Sequence, residues 1–189
     1  MQPLFCTQCA APLLRAIPED DEHERDLCGG CGTVHYQNPK IIAGCIPVWE
    51  DRILLCRRAI EPRRGYWTLP AGFMEMNETL EEAAGREARE EAMADVEIGQ
   101  LYTMFSLAHI SQVHVFFRGT LKQPVYAPGR ESLEVSLFGM HEIPWEELSF
   151  TSVRMTLQLL QQDQSDGNTF LPRSIALPTP GATSGIRYA

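Results

Sequence analysis

The fold of this chain is decided by the stretch Gly72-Phe-Met-Glu-Met-Asn-Glu78-Thr-Leu-Glu-Glu-Ala-Ala-Gly-Arg86-Glu87-Ala-Arg-Glu90-Glu91. Its second half predicts a helix from Thr79 to Met93. Thr79 followed by Glu82 is the pattern of a capping box, in which each side chain accepts a backbone N–H of the other residue. Glu87, Glu90 and Glu91 then stand at i, i+3 and i+4, so their carboxylates project from one face of the helix.

Three like charges so close together repel one another unless cations lie among them. Carboxylate oxygens are hard ligands of the kind that Mg²⁺ and Mn²⁺ prefer. The alternative is a solvated acidic face, braced by pairs such as Glu82 with Arg86. The loop before the helix favours the metal, because Leu69-Pro70-Ala71-Gly72 lets the backbone approach the helix face. The Ala71 carbonyl could then join the carboxylates, while Glu78 and Arg86 could pair and hold the loop.

The sequence on either side of this stretch alternates between strand patterns and a second helix pattern. This mixture predicts a sheet with helices packed on it. Pro47 inside the first strand indicates a sheet edge or a bulge. Cys45 and Cys56 lie within strand patterns and are expected to be buried. The predicted strands are Ile41–Trp49, Arg52–Arg57, Leu101–Phe105, Gln112–Leu121 and Leu133–Met140, and the second helix is Thr151–Gln161.

Four of the six cysteines lie in the first 36 residues. Cys6-Thr-Gln-Cys9 and Cys28-Gly-Gly-Cys31 form two Cys-x-x-Cys knuckles, whose separation is typical of a four-cysteine zinc site. The alternatives are two disulfides or free thiols, and a cytoplasmic location disfavours the disulfides. Four sulfur ligands close the coordination sphere, so the predicted zinc is structural rather than catalytic.

Composition narrows the function classes. The net charge of −9 disfavours broad affinity for nucleic acid. No apolar run reaches the roughly 18 residues that indicate a membrane span, and the first residues lack the pattern of a signal peptide. We therefore expect a cytoplasmic protein.

Residues 163–189 are rich in Pro, Gly, Ser and Thr, which predicts a tail without regular structure. If the tail is ordered it must pack against something, and we expect a second copy in a homodimer.

The central stretch resembles the Nudix box, Gly-x5-Glu-x7-Arg-Glu-U-x-Glu-Glu-x-Gly-U, where U is aliphatic. One position departs, since Met93 stands where the family has the glycine that helps end the helix. The resemblance implies an α/β fold, an α/β/α sandwich with a mixed sheet. It also implies three regions: a zinc ribbon over 1–36, a Nudix hydrolase domain over 37–162 and a tail over 163–189. The matching residues are Gly72, Glu78, Arg86, Glu87, Glu90 and Glu91.

Within the family, the order of ribbon and Nudix domain is similar to that of the ribbon-bearing hydrolases. NADH pyrophosphatases carry a Ser-Gln-Pro-Trp-Pro-Phe-Pro-x-Ser array after the box, and Phe105–Ser111 does not match it. The chain looks closer to the plant chloroplast pyrophosphatase that acts on FAD and ADP-ribose. This closeness is carried by Gln37–Lys40, Leu55-Cys56 with Arg58, Trp67–Gly72, Ala127-Pro128-Gly129 and Glu131–Glu134.

The resemblance implies that Glu87, Glu90, Glu91 and the Ala71 carbonyl bind Mg²⁺ or Mn²⁺, and that an activated water cleaves a pyrophosphate bond. FAD would give FMN and AMP. The alternatives are an NADH or NAD-cap pyrophosphatase and a catalytically silent nucleotide sensor.

Glu87, or Glu134 from a loop, could accept the proton of the attacking water. Candidates for contact with phosphate are Arg57, Arg58 and Arg89. Candidates for stacking on a flat ring, rather than packing in the core, are Tyr66, Trp67, Phe105 and Phe117.

Overall fold

The computed structural model describes residues 4–167, 170–179 and the backbone of 187–188. The chain divides into two compact units, Met1–Asn38 and Pro39–Ala189. Within its described residues, the first unit holds three short antiparallel strands in the order β1-β2-β3. The sequence did not predict these strands, because they are too short to show a period. They are β1 (Leu13–Ala16), β2 (Arg25–Cys28) and β3 (Val34–His35).

The second unit is built on a mixed sheet, which over the described residues has nine strands in the order β10-β5-β4-β9-β8-β11-β12. Two of the nine lie beside this path, because β6 pairs with β5 and β7 pairs with β4. The predicted strands are present, and several are longer than expected. The strands are β4 (Lys40–Trp49), β5 (Arg52–Arg58), β6 (Trp67–Thr68), β7 (Ala71–Phe73), β8 (Val96–Leu107), β9 (Gln112–Leu121), β10 (Ser132–Gly139), β11 (Arg173–Ala176) and β12 (Arg187–Tyr188).

Strands β4 and β5 form the predicted hairpin, but they pair only near its turn, at Val48 with Ile53 and at Trp49 with Arg52. Beyond that point they separate, and β6 and β7 occupy the gap. The expectation of a sheet edge at Pro47 was wrong, because β4 lies inside the sheet and runs parallel to β9 along its length. Pro47 falls between the part of β4 that pairs with β7 and the part that pairs with β5.

Two helices cover opposite faces of this sheet. Helix α1 (Leu80–Ala92) packs its alanines against one group of buried strand residues, which includes Val115 and Phe117. Helix α2 (Thr151–Asp166) packs against the other face, to which the intervening Phe116 contributes. The α/β/α sandwich with a mixed sheet is therefore confirmed. Cys45 and Cys56 are buried as expected. None of the helices in the described residues is long and apolar enough to span a membrane.

Helix α1 begins and ends with defined caps. Thr79 and Glu82 form the predicted capping box, with the Glu82 amide donating to Thr79 Oγ1 at 3.1 Å and the Thr79 amide donating to Glu82 Oε2 at 2.8 Å. The helix ends at Met93, which adopts the left-handed conformation at φ 50°. Met93 thus takes the backbone conformation for which glycine is favoured at this position, and its side chain is largely exposed.

The expectation that residues 163–189 lack regular structure was wrong for the described part. Helix α2 continues to Asp166, and β11 joins the sheet parallel to β8. Buried Asp163 accepts hydrogen bonds from the Tyr102 hydroxyl at 2.8 Å and from Arg173 at 2.5 and 2.8 Å. The described tail packs on its own chain, so its order is no argument for a second subunit. The rest of the tail, residues 168–169, 180–186 and 189, lies outside the described residues.

Candidate active site

The side chain of Arg86 joins the central loop to helix α1. Its Nε and Nη2 donate to the two carboxylate oxygens of Glu78 at 3.0 and 2.9 Å, and Nη2 also donates to the Phe73 carbonyl at 3.0 Å. Arg86 holds the pKa of Glu78 at about 2. The predicted pair is therefore present, and it ties the loop to the helix, as two parallel hydrogen bonds from a guanidinium can do. Glu82 takes no part, since it serves the helix cap.

Strand β7 lies directly against the helix face that carries the glutamates. A Cβ on Gly72 would lie 2.3 Å from a Glu87 carboxylate oxygen, so a side chain at this position would displace that carboxylate. Similarly, a Cβ on Gly44 would lie 2.5 Å from the Pro70 carbonyl oxygen. These two glycines allow three layers of backbone, β4, the 70–72 segment and α1, to approach one another closely.

The three box glutamates differ in their surroundings. Glu87 and Glu91 are 8% and 5% exposed, whereas the Glu90 side chain is 61% exposed. Arg86 Nη1 donates to Glu87 at 2.7 Å and to Glu90 at 3.1 Å. Glu91 accepts a hydrogen bond from the Ala71 amide at 3.3 Å. Two buried carboxylates thus face a single guanidinium and one amide.

Burial and, after it, the negative charge of Glu87 raise the pKa of Glu91 to about 8. Burial also raises the pKa of Glu87, against the opposing effect of Arg86. Such a site disfavours the charged carboxylates until a cation is bound. The donors are hard oxygens, so the residues present fit a divalent ion such as Mg²⁺ or Mn²⁺. Ala71 lies beside Glu91 through its amide, and a role for its carbonyl as a ligand remains a prediction.

Sequence reasoning missed a fourth acidic residue, Glu131. The loop before β10 crosses the end of α1, where the Ala127 amide donates to the Ala92 carbonyl at 2.9 Å and the Gly129 amide to the Glu91 carbonyl at 3.0 Å. The Ala59 amide then donates to the Glu131 carbonyl at 2.8 Å. The charge of Glu131 raises the pKa of both Glu87 and Glu91, after the larger effect of burial.

Glu134 has a different position from the one expected. It lies within β10 rather than in a loop, and its carboxylate is 3.5 Å from Nη1 of Arg57 in an exposed ion pair. Glu131 and Glu134 differ in position because β10 begins between them. Buried Ser132 opens β10, so Glu131 is the last loop residue, while Glu134 belongs to the sheet.

The candidate phosphate ligands lie in different places. The charge of Arg58 lowers the pKa of Glu91, although less than burial raises it. Its Nε donates to the Pro62 carbonyl at 2.9 Å and its guanidinium lies 5.1 Å from the centre of the Phe150 ring. Arg57 donates to the Gly65 carbonyl at 2.9 Å. Arg89 is exposed and has no side-chain hydrogen bond to a described residue.

Of the four aromatic residues considered for stacking, three are core residues. Trp67, Phe105 and Phe117 are 6%, 0% and 3% exposed and pack in the two hydrophobic clusters. Tyr66 is 36% exposed and remains available to a ligand.

The four N-terminal cysteines converge, with all four sulfur atoms within 4.8 Å of one another. Cys6 and Cys31 Sγ are 3.7 Å apart and Cys9 and Cys28 Sγ are 3.4 Å apart. A disulfide bond is about 2 Å long, so these separations exclude disulfides here. Tetrahedral zinc with Zn–S bonds of about 2.3 Å places sulfurs about 3.8 Å apart. Backbone amides also donate to Sγ, as from Gly30 to Cys28 at 3.3 Å. The cluster therefore fits structural zinc.

Two protein-family descriptions match the chain, and together they account for most of it. "NUDIX domain" matches residues 38–158, and "Nudix N-terminal", a zinc ribbon, matches residues 4–37. A crystal structure of a NUDIX hydrolase from Nitrosomonas europaea is 50% identical, with a TM-score of 0.86, and the match covers 92% of this chain and 99% of that one.

Curated relatives carry more specific names. The NAD-capped RNA hydrolase NudC of Vibrio parahaemolyticus is 31% identical over 144 residues, covering 74% of this chain and 52% of the relative. The ADP-ribose pyrophosphatase of Methanocaldococcus jannaschii is 29% identical over 115 residues, covering 58% of this chain and 67% of the relative. The chain thus spans about half the length of the NudC relative. From its matched domains, its fold and its box residues, the chain belongs to the Nudix hydrolase family.

Proposed function

We propose that the chain hydrolyses the pyrophosphate bond of a nucleoside diphosphate derivative in a reaction that depends on a divalent ion. The observation that carries this proposal is the cluster of Glu87, Glu90 and Glu91 against a loop held by the Arg86–Glu78 pair. Buried carboxylates in this number are stable as anions only with cations among them. A solvated acidic face would not bury two of its three members.

Bound Mg²⁺ or Mn²⁺ would supply charge neutralisation for the pyrophosphate and an acidified water. The chain contributes the ligands Glu87, Glu90 and Glu91, with the Ala71 carbonyl as a further candidate. In the reaction the water oxygen bonds to one phosphorus, the bridging P–O bond breaks, and a nucleoside monophosphate leaves. The water proton passes to a carboxylate, for which Glu87, Glu131 and Glu134 are the candidates. Arg58, whose charge acts on Glu91, is suited to bind a phosphate oxygen.

The substrate that we propose carries an ADP group. The named relatives act on ADP-ribose and on NAD-capped RNA, and FAD, favoured by the likeness of the sequence, shares the same ADP half. The NAD alternative is supported equally well by the NudC relative. The net charge of −9 favours a small nucleotide over a long RNA.

The competing function is a nucleotide sensor without chemistry. Such a protein has no need of the acidic box residues, yet Glu87, Glu90 and Glu91 are all retained and gathered by the fold. A nucleic-acid-binding ribbon should be basic, whereas residues 19–22 between the two cysteine knuckles are Glu-Asp-Asp-Glu. Both observations favour the enzyme.

The test is release of AMP from ADP-ribose, FAD and NADH, measured side by side with Mg²⁺, with Mn²⁺ and without either. We expect cleavage that requires the metal and is lost in Glu90→Gln. The matched control is Glu81→Gln, an exposed glutamate in the first turn of the same helix, which should retain activity. Binding without cleavage by the wild-type protein would contradict the proposal and support the sensor.

Three other expectations remain proposals. The ribbon holds one structural zinc, the protein is cytoplasmic, and it forms a homodimer. Light scattering that gives the mass of a single chain would contradict the homodimer.

A further inference from the structure

A cleft outside the acidic cluster is built by three segments that pair through their backbones. Trp67 pairs with Arg57 of β5 on one side and forms a parallel bridge with Leu148 on the other. The Ser149 amide donates to the Trp67 carbonyl at 2.8 Å. Because the bridge is parallel, the residues that precede its two members, Tyr66 and Glu147, lie side by side. They line a cleft together with Arg57 and Gly65.

The walls of this cleft combine an aromatic ring with an unpaired carboxylate. Tyr66 is 36% exposed, and the Arg63 guanidinium lies 5.3 Å from the centre of its ring. Glu147 is exposed, and among the described residues its side chain has no hydrogen bond or ion pair. Arg57 is held in place by the Gly65 carbonyl and by Glu134. The cleft therefore offers a partly exposed aromatic ring beside a carboxylate that has no partner among the described residues.

The cleft is directly connected to the catalytic centre. The Arg58 amide donates to the Tyr66 carbonyl at 2.9 Å, and the next residue, Ala59, donates to the Glu131 carbonyl at 2.8 Å. The loop that ends at Glu131 is itself bonded to helix α1, because the Gly129 amide donates to the Glu91 carbonyl at 3.0 Å. Backbone hydrogen bonds thus link the segment that carries Tyr66, through β5 and the loop before β10, to the end of the helix that carries the acidic cluster.

We propose that the Tyr66–Glu147 cleft is the subsite for the adenine ring of the substrate. The ring stacks on Tyr66, and its exocyclic amine donates a hydrogen bond to the Glu147 carboxylate. A carboxylate only accepts hydrogen bonds, so it selects a base that presents N–H donors at this edge. This inference rests on the proposed function, since it assumes that the pyrophosphate binds at Glu87, Glu90 and Glu91.

The test compares ADP-ribose with etheno-ADP-ribose, in which the exocyclic amine is closed into a ring and has no hydrogen left to donate. For the wild-type protein we expect kcat/KM to favour ADP-ribose by about 10-fold, the effect of one hydrogen bond to a charged group. Glu147→Ala should bring this ratio close to one, mainly by weakening ADP-ribose. The matched control is Glu146→Ala, which removes the adjacent carboxylate that pairs with Arg154 and should leave the ratio unchanged.

Stacking is tested separately at Tyr66. Tyr66→Leu should lower kcat/KM for both substrates by about 10-fold, the effect of losing one base–aromatic stack, and Tyr66→Phe should restore it. Equal ratios in the wild-type protein and in Glu147→Ala, or no effect of Tyr66→Leu, would overturn the subsite while metal-dependent cleavage continued. Because etheno-ADP-ribose is fluorescent, its binding and its displacement by ADP-ribose are also measured on Glu90→Gln. The subsite is thereby tested even if the proposed hydrolysis fails.

Discussion

Replacing Glu91 with glutamine measures the free-energy cost of a buried, charged carboxylate on helix α1. In the folded metal-free protein, burial raises the pKa of Glu91 to about 8. In an unfolded chain, the pKa of a glutamate is about 4.3. Between these values the folded state keeps a proton that the unfolded state has lost. The stability of the metal-free protein must therefore fall as the pH rises through this window.

The size of the effect follows from the width of the window. Each pKa unit corresponds to about 1.4 kcal/mol, so a pKa of about 8 in the folded state costs at most about 5 kcal/mol at pH 8 and above. Glu91→Gln removes this cost and leaves an oxygen for the Ala71 amide. Without catalytic metal, the variant should be more stable than the wild-type protein at pH 9, and the two should converge at pH 4.

The assay is urea unfolding followed by tryptophan fluorescence, in buffer without divalent ions and with the zinc content checked. Mn²⁺ should then stabilise the wild-type protein at pH 9, because it binds the folded state only, and should stabilise the variant much less. Glu90→Gln, at an exposed position, is the control for the measurements without divalent ions. Its free energy of unfolding should depend on pH in the same way as that of the wild-type protein. Parallel pH profiles for Glu91→Gln and the wild-type protein would refute the reasoning, as would equal stabilisation of both by Mn²⁺.

Three further predictions concern other parts of the chain. Met93→Gly should raise the free energy of unfolding by about 1 kcal/mol, because glycine adopts a left-handed backbone without strain; an unchanged or lower melting temperature would contradict this. Glu131→Gln should lower kcat for AMP release by about 100-fold if it accepts the proton or holds an ion, with a smaller loss for the ion-paired Glu134→Gln; the opposite order would favour Glu134. Metal analysis should find one zinc per chain, lost in Cys9→Ser, and zinc retained by that variant would argue against a four-sulfur site.

The parts of the fold that the sequence predicted well are those fixed by local interactions. Helix α1 could be recognised because Thr79 and Glu82 cap it within one turn and because its glutamates recur at helical spacing. The Glu78–Arg86 pair could be predicted for the same reason, because both residues belong to one contiguous motif with fixed spacing.

The parts that were missed depend on contacts between distant segments. Strand β11 is short, and it is held by pairing with β8 and by the bonds from Arg173 to Asp163, neither of which leaves a pattern in the local sequence. The choice between Glu131 and Glu134 depended on the residue at which β10 begins. The predicted strand began at Leu133 and β10 begins at Ser132, so both boundaries place Glu134 in the sheet and Glu131 in the loop. The local sequence does not show that this loop is bonded to α1 through the Gly129 amide and the Glu91 carbonyl.

The bond between Arg173 and Asp163 also has a consequence for how far the chain can be shortened. Helix α2 buries Asp163 against Tyr102, but the guanidinium that pairs with it lies ten residues later in the chain. In a chain that stops before Arg173, α2 would bury Asp163 without the guanidinium that pairs with it. Leaving a buried charge without its partner costs about 3–5 kcal/mol. The segment that carries Arg173 is therefore part of this face of the domain, and a gene fragment that stops at the end of α2 would encode a domain with an uncompensated buried charge.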